Sequence, residues 1–581
     1  MLPMERFPQE THAQRMETVR RRVPLLTEDW NDFQPGDPGV TLAELLSWRV
    51  GLQRQAMEKV APASEARLMT LLGVPPRHAR GSRALLEPAA PPRPLGLPAG
   101  VKWRAGDVVF ENPAPLLLPA ARLTELRFPS APAEEPGSLG PDRSAALFGE
   151  TPRPGDWFEL VFDAPLPAGA ALCLALELAP PDGRIRPPVP AGERLVPLAD
   201  IRWQAGGDGW QDVAVERDDT HGLLFSGLLR LRVPGGAATR LRATLTEGEF
   251  DLPPRLTGVL FPALEVVQRD TLCRTETVSA GALRAGRGVL RGALALEGDA
   301  AFYRRRGEDW VPCEAALAPD ETAGLARVTV AWTPEGADGA AELLAVTAAR
   351  DRCPPPADGQ GCSGQVWDWE TPGLCRENLA LLVGRAGRFS LWTPEEDLYG
   401  CGPTDRRFTV DPDGGAVGFG DGRMGAIPPK GGQNLRFAAL ALTAGAAANL
   451  RPDQIGGPAG GLYAGLTVRR STAAQGGRDE ESHAARKARC ARPPDEPRRA
   501  VTAGDFETLA RRAPGLLLDG VEVLPGRVLR DGRLRDEPGT VTVLIRGAGG
   551  GRPAGYLENL RRWLEPRRLA GTRVEVNWLE P

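Results

Sequence analysis

The stretch Val417–Asn434, VGFGDGRMGAIPPKGGQN, concentrates the residues best suited to holding a ligand. Gly420, Gly422 and Gly425 stand at the G-x-G-x-x-G spacing with which a glycine-rich turn offers backbone N–H groups to a pyrophosphate. That chemistry needs a strand before the turn and a helix N-terminus after it. Here the third glycine leads into Ala426-Ile427-Pro428-Pro429. Proline has no N–H to donate and pushes the residue before it out of the helical region, so no helix opens there. The acid that would hold a ribose about 20 residues further on is also missing, because residues 435–448 contain no carboxylate. Lys430 precedes Gly431-Gly432 and not Ser or Thr, which excludes a Walker loop. Local chemistry therefore predicts a strand–turn–strand corner built around Gly420, Asp421, Gly422, Arg423, Gly425, Pro428 and Pro429, with no cofactor.

Other candidate constellations fail on spacing. Asp411-Pro412-Asp413-Gly414 is similar to the opening of a calcium loop, but the twelfth position, where a bidentate glutamate belongs, is Gly422. Cys353, Cys362, Cys375 and Cys401 lie within 49 residues without a C-x-x-C, and His12, His78, His221 and His483 are remote from them. Structural zinc uses closely paired ligands, so reduced, partly buried thiols are expected and no metal is assigned. There is no H-E-x-x-H, and Gly361-Cys362-Ser363-Gly364 lacks the spacing of a nucleophile elbow. A glycosidase needs only two acids about 5–10 Å apart, and no sequence feature picks out such a pair. No catalytic residue is assigned, and a non-enzymatic protein is expected.

The elements that must position these residues follow from composition and periodicity. A chain of 581 residues exceeds one hydrophobic core. With 69 Gly, 57 Pro and 42% apolar residues, it has the turn-rich character of short-stranded β domains. The net charge of −4 supplies no field for nucleic acid or anionic lipid. The N-terminus lacks a basic region followed by an apolar one. The most apolar run, Ala170–Ala179, is interrupted by Glu177, far short of a membrane span. Cytoplasmic synthesis without membrane insertion is expected.

Residues 1–80 read as helical. Asp37 can cap a helix with Pro38 in its first turn, and Thr41 with Glu44 offers a second start. Leu42, Leu45, Leu46, Arg49, Leu52, Ala56, Met57 and Val60 then follow helical spacing. Ser64 is expected to cap a shorter helix bearing Leu68, Leu71 and Leu72 and stopped by Gly73 and Pro75-Pro76. Two such amphipathic helices make a poor core alone, so their stripes must meet another domain or another chain.

Residues 81–255 read as a β-sandwich-like module, with strands at 157–162, 171–178, 201–204, 210–215, 223–233 and 241–245. Residues 256–400 read as a second β-rich module and 401–471 as the Gly/Pro-rich corner region. Trp203 and Trp210 stand seven apart around a turn, and Tyr303 and Trp310 repeat that spacing, which predicts two related hairpins. Their aromatics are expected to fill cores, the alternative being sugar-stacking platforms. Residues 472–499 read as a polar linker with one short helix. In 500–581, Thr502 and Asp505 cap a helix carrying Phe506, Leu509, Ala510 and Ala513. A β-α-β unit follows, with Tyr556, Leu560, Trp563 and Leu564 on its helix. The fold class is thus multi-domain α+β: a helical N-terminal segment, a β-rich middle and small α/β C-terminal domains.

Several of these segments, in this order, resemble the baseplate J-like, or putative baseplate assembly, wedge proteins of contractile phage tails and contractile injection systems. They are Pro35–Leu46 (PGDPGVTLAELL), Leu71–Ala79 (LLGVPPRHA), Asp218–Gly227 with Pro253-Pro254, and Phe419–Pro429 followed by Gly445, Asn449 and Ile455. Gly476–Glu481, Ala500–Ala510, Ala513–Gly515 and Gly571–Val576 complete the series. Residues 270–400 match the pattern poorly, and its Gly/Ser-rich run is reduced to Gly361–Gln365.

The resemblance implies a structural wedge subunit repeated around a six-fold axis that encircles the central spike. It would pair with a second wedge subunit (the same chain or a paralogue) and meet sheath-initiator-like and spike or hub proteins. It also implies that the N-terminal helices, through Leu42, Leu45, Leu46, Leu52, Leu68, Leu71 and Leu72, enter a helical bundle with partner chains. The C-terminal domains would link neighbouring wedges, and no nucleic acid or cofactor is implied. The alternative reading is a particle-associated carbohydrate-binding β protein or, beyond that, a glycoside hydrolase.

Overall fold

The computed structural model describes residues 11–579 apart from 28, 31, 59–61, 130, 208, 236, 331–341, 370–372, 412–414, 492–496 and 531–532; the side chains of 54–58 and 62–63 also lie outside the description. Ala56, Met57 and Val60 of the expected stripe, and Asp413, fall among the residues left out. The protein is β-rich, multi-domain α+β, with a helical N-terminus, and its chain divides into two compact units.

The first unit comprises residues 1–77 and 481–493. Its helices are His12–Arg22, Pro38–Glu58, Pro62–Leu71 and His483–Ala491. Thr11 and Gln14 close a capping box on the first. Asp37 starts the second: its Oδ1 accepts the Val40 N–H at 2.9 Å and the Trp30 indole N–H at 3.1 Å. The alternative start at Thr41 is not used, and the Thr41 hydroxyl donates back to Asp37 O at 3.0 Å. The third helix begins at Pro62, two residues before the expected Ser64 cap, because proline suits a first turn whose N–H would be unpaired anyway. It ends as expected at Gly73, which has φ +76°, with Val74 N–H donating to Met69 O at 2.9 Å. Gly73 takes the left-handed conformation without a Cβ clash, and the long bond satisfies a terminal carbonyl.

The polar stretch 472–499 contains the helix His483–Ala491, whose cations hold it to 62–77. Arg486 donates to Val74 O at 3.0 Å and to the Thr70 hydroxyl at 2.6 Å. Arg489 donates to Pro75 O at 2.7 Å, and His483 and Lys487 both reach Glu65.

The second unit, 78–480 and 494–581, holds the sheets. Two antiparallel sheets form the expected sandwich. One orders Ala214–Asp218, Gly227–Arg232, Ala171–Leu178, Arg255–Leu260 and Ala145–Ala146. The other orders Trp210–Asp212, Ala199–Gly206, Arg240–Gly248, Trp157–Phe162, Leu123–Phe128 and Ala131–Glu134. Strand alternation builds the core: Leu241, Ala243 and Leu245 point inward and are fully buried, while Arg240 and Arg242 face out. Each fully buried leucine contributes about 1.5–3 kcal/mol. Trp203 joins this core edge-on to Phe158.

A five-stranded sheet pairs Arg83–Pro88 with Leu264–Gln268 and Val468–Ser471, so sequence-distant segments share one core around Trp103 and Phe110. An eleven-stranded sheet runs through residues 270–442. Both predicted hairpins form: Gly206 pairs with Trp210, and Arg306 with Asp309. Trp203, Tyr303 and Trp310 are buried as expected, so none of them offers an open ring face to a sugar; Trp210 departs from the expectation, being only part-buried, with Arg240 and Arg242 over its ring.

At the C-terminus Arg533–Gly547 pairs in parallel with Arg573–Trp578 across the helix Ala554–Leu564, which is the expected β-α-β unit. Thr502 and Asp505 form the expected capping box. An additional strand, Leu518–Arg530, pairs antiparallel with Arg533–Gly547.

Candidate functional site

The corner Val417–Asn434 connects the strands Ala416–Phe419 and Gly431–Leu442. Asp421 organises it. Its carboxylate accepts the N–H groups of Met424 at 2.7 Å and Arg423 at 2.8 Å, and these two bonds hold its pKa below the ordinary carboxylate range. Gly422 N–H donates to Gly425 O, and Gly425 N–H to Gly402 O, each at 3.1 Å. Every N–H from Gly422 to Gly425 is thus bonded within the protein. A phosphate cradle must leave such donors free, and these are spent on the turn and on Gly402.

The glycines have two different reasons to be glycine. Gly422 and Gly425 have φ of +83° and +80°, where a Cβ is strained. Gly420 is instead a close approach, since a Cβ there would lie 2.2 Å from the Gly425 carbonyl carbon. Pro428-Pro429 carries the chain onward to buried Asn434. That side chain donates to Pro429 O at 2.8 Å and Gly384 O at 2.9 Å and accepts the Gly359 N–H at 2.6 Å. The corner is thus tied by hydrogen bonds to Gly402, Gly384 and Gly359 around it.

The four cysteines of 353–401, expected as reduced thiols, have separate surroundings. Cys362 is exposed and donates to Gln360 Oε1 at 3.3 Å, whereas Cys375 is buried and donates to Asn378 Oδ1 at 3.4 Å. Burial is the main cause that raises the Cys375 thiol pKa, and that of Cys401 as well. Cys353 faces Cys273, a residue that spacing alone gave no reason to pair with it. Among the described residues no three His, Cys, Asp or Glu side chains converge to hold a metal ion. The histidines are also dispersed: His12 lies 2.9 Å from the Ser47 hydroxyl, His221 edges onto Phe225, and His78 sits between Glu396 at 2.5 Å and Glu480 at 2.9 Å.

The other candidate set lies in the first unit. Leu42, Leu45, Leu46 and Leu52 on the Pro38–Glu58 helix, and Leu68, Leu71 and Leu72 near the end of the next, are all exposed. Leu46 is 61% and Leu71 73% accessible. The opposite faces carry the buried residues Val40, Ser47 and Met69. Ser47 accepts a 3.1 Å bond from Arg15 Nε, which ties the first helix to the second. Helical spacing thus identified the stripe, and the stripe points outward. Trp48, 59% accessible, extends it; its offset from the leucine spacing concealed it in the sequence.

Comparison with known proteins adds little. No protein-family model matches the chain, and no curated protein matches it. One similar solved structure is a chain of the type VI secretion system TssK-TssF-TssG baseplate subcomplex, at 12% identity and a TM-score of 0.36, covering 93% of this chain and 96% of that one. A likeness at that level carries no functional conclusion.

Proposed function

We propose that the chain is a structural wedge subunit of a contractile injection baseplate, joined to partner chains through its N-terminal helices. The observation that carries this reading is the outward stripe of Leu42, Leu45, Leu46, Trp48 and Leu52. Monomeric proteins rarely expose contiguous apolar patches unless these mark an interaction site, and helices with apolar faces associate by burying them together. The ordered series of segments that resembles wedge proteins supports the same role. The satisfied corner at 417–434 then serves as a rigid joint with no ligand to hold. The C-terminal β-α-β region links neighbouring wedges, and relay of the firing transition to the sheath runs through repacked subunit contacts.

The test is assembly. The variant with Leu42, Leu45, Leu46 and Leu52 all changed to Ser, co-expressed with the remaining tail proteins, is expected to stay soluble and folded but to yield no complete baseplates by electron microscopy. Normal particles from that variant would overturn the reading.

A further inference from the structure

We infer that Cys273 and Cys353 are a redox-active thiol pair that closes to a disulfide by exchange with a low-molecular-weight disulfide. Cys273 lies on the strand Asp270–Val278, in register with Ala348 on one side and Leu440 on the other. It is almost completely buried. The chain leaves the neighbouring strand at Ala348 and folds back at once. Ala349 N–H donates to Leu272 O at 2.7 Å, Cys353 N–H donates to Ala349 O at 3.4 Å, and Asp351 takes φ +57°. That tight turn returns Cys353 onto Cys273, in the apolar cluster that also holds Leu440. Both thiols sit in that one cluster, and each is the strongest influence on the other's ionisation.

The pair is asymmetric in the way thiol exchange requires. Cys353 is only half-buried, and the hydrogen bond from Cys273 lowers its pKa. That same bond, and then burial, raises Cys273. Only Cys353 is open to an external disulfide, because Cys273 is buried, so Cys353 is the attacking thiolate and Cys273 the resolving thiol. The Cys353 thiolate attacks one sulfur of the small disulfide RSSR, forms a mixed disulfide and expels RS⁻. Cys273 then gives up its proton, attacks the Cys353 sulfur and expels the second RS⁻. Two protein thiols are oxidised, and one RSSR is reduced to two RSH.

The bond would anchor the start of the segment that reaches the 417–434 corner through the Gly359 N–H on Asn434 and the Gly364 N–H on Gly420 O. Oxidation would thus fasten the corner's neighbouring loop to the central sheet. This inference does not depend on the baseplate reading.

The experiment incubates the full chain with oxidised glutathione at mildly alkaline pH, blocks the remaining thiols and maps disulfides by mass spectrometry without reduction. A Cys273–Cys353 cross-linked peptide is expected as the main product, and oxidation should raise the melting temperature. In Cys273→Ser the glutathione adduct should accumulate on Cys353. In Cys353→Ser both the cross-link and the melting shift should vanish. A lasting glutathione adduct on Cys353 of the unaltered chain, a cross-link to Cys362 in place of Cys273, or a Cys353 that stays free for blocking would each overturn the proposal. The map of the unaltered chain decides the matter even where a variant folds poorly.

Discussion

Arg186 grips Asp251 with two parallel hydrogen bonds, of 2.8 Å and 2.6 Å, and both side chains are buried. Arg186 also donates to Gly515 O at 2.9 Å, and the Tyr556 hydroxyl donates to Asp251. Residues 65 and more than 300 positions apart thereby fix the C-terminal region to the β-sandwich. Burial, followed by the negative charge of Asp251, raises the Tyr556 pKa well above that of an ordinary phenol, so the hydroxyl stays protonated and serves as the donor.

Breaking one side of such a pair strands a buried charge, at a cost of about 3–5 kcal/mol. Arg186→Met is therefore expected to release the C-terminal region, seen as a lower urea midpoint and faster proteolysis near 515. The double variant Arg186→Met with Asp251→Leu should recover most of that loss, since neither charge is left unpaired. If the double variant is as unstable as the single one, the cost lies in packing and not in charge.

The corner's glycines should separate into three classes. At Gly420 a Cβ meets backbone, so Gly420→Ala should cost more than about 2 kcal/mol. Gly425→Ala adds left-handed strain of about 1–2 kcal/mol. Gly432→Ala meets only the Asp358 carboxylate at 3.9 Å and should stay within about 0.5 kcal/mol. Thermal melts of the three variants test the order, and a neutral Gly420→Ala would refute the packing argument.

His78 predicts a pH dependence. Hydrogen bonds that its ring N–H groups donate to Glu396 and then Glu480 raise its pKa to about 9 from an ordinary 6.5, and Arg376 lies 3.2 Å from the same Glu396. The folded state holds this proton more tightly than the unfolded chain. Its stabilisation is complete below about pH 6.5 and is lost as the pH rises through about 9. Melting temperatures between pH 6 and pH 9.5 should fall for the unaltered chain, and His78→Gln should flatten that part of the curve. Parallel curves for the two proteins would assign the dependence to other groups.

Trp203, 4% accessible and 5.7 Å edge-on from Phe158, distinguishes a core from a sugar platform. Trp203→Ala should destabilise the sandwich by about 3–5 kcal/mol in chemical unfolding. A folded, fully stable Trp203→Ala would contradict the buried position.

Local rules were legible wherever one short-range cause decides the outcome. Asp37, the Thr502–Asp505 box and the Gly73 stop each satisfy helix-end groups within a few residues, and the sandwich strands alternate visibly. The strand Leu518–Arg530 has no place in the sequence reading: Pro525-Gly526 interrupts its alternation, and the ladder shifts register between Pro525 and Arg527, where a missing N–H is tolerated. The direction of the leucine stripe was hidden for another reason. Spacing places Leu42, Leu45 and Leu46 on one face but does not say whether that face is covered. The Cys273–Cys353 pairing was illegible because it joins positions 80 residues apart, through a sheet register that no local pattern encodes.

The outward stripe makes a prediction for the purified chain alone. Trp48 and Leu46 are exposed by 59% and 61%, so they contribute little to folding, and Trp48→Ala with Leu46→Ser should shift stability by no more than about 0.5 kcal/mol each. Burying each of them against a second chain would contribute about 1.5–3 kcal/mol, roughly tenfold or more in association for each residue. The unaltered chain should therefore show a weight-average mass that rises with concentration in sedimentation equilibrium. The double variant should stay monomeric over the same range with an unchanged urea midpoint. A monomeric unaltered chain would show that this face does not dock on its own copy, and a destabilised double variant would place these side chains inside the fold.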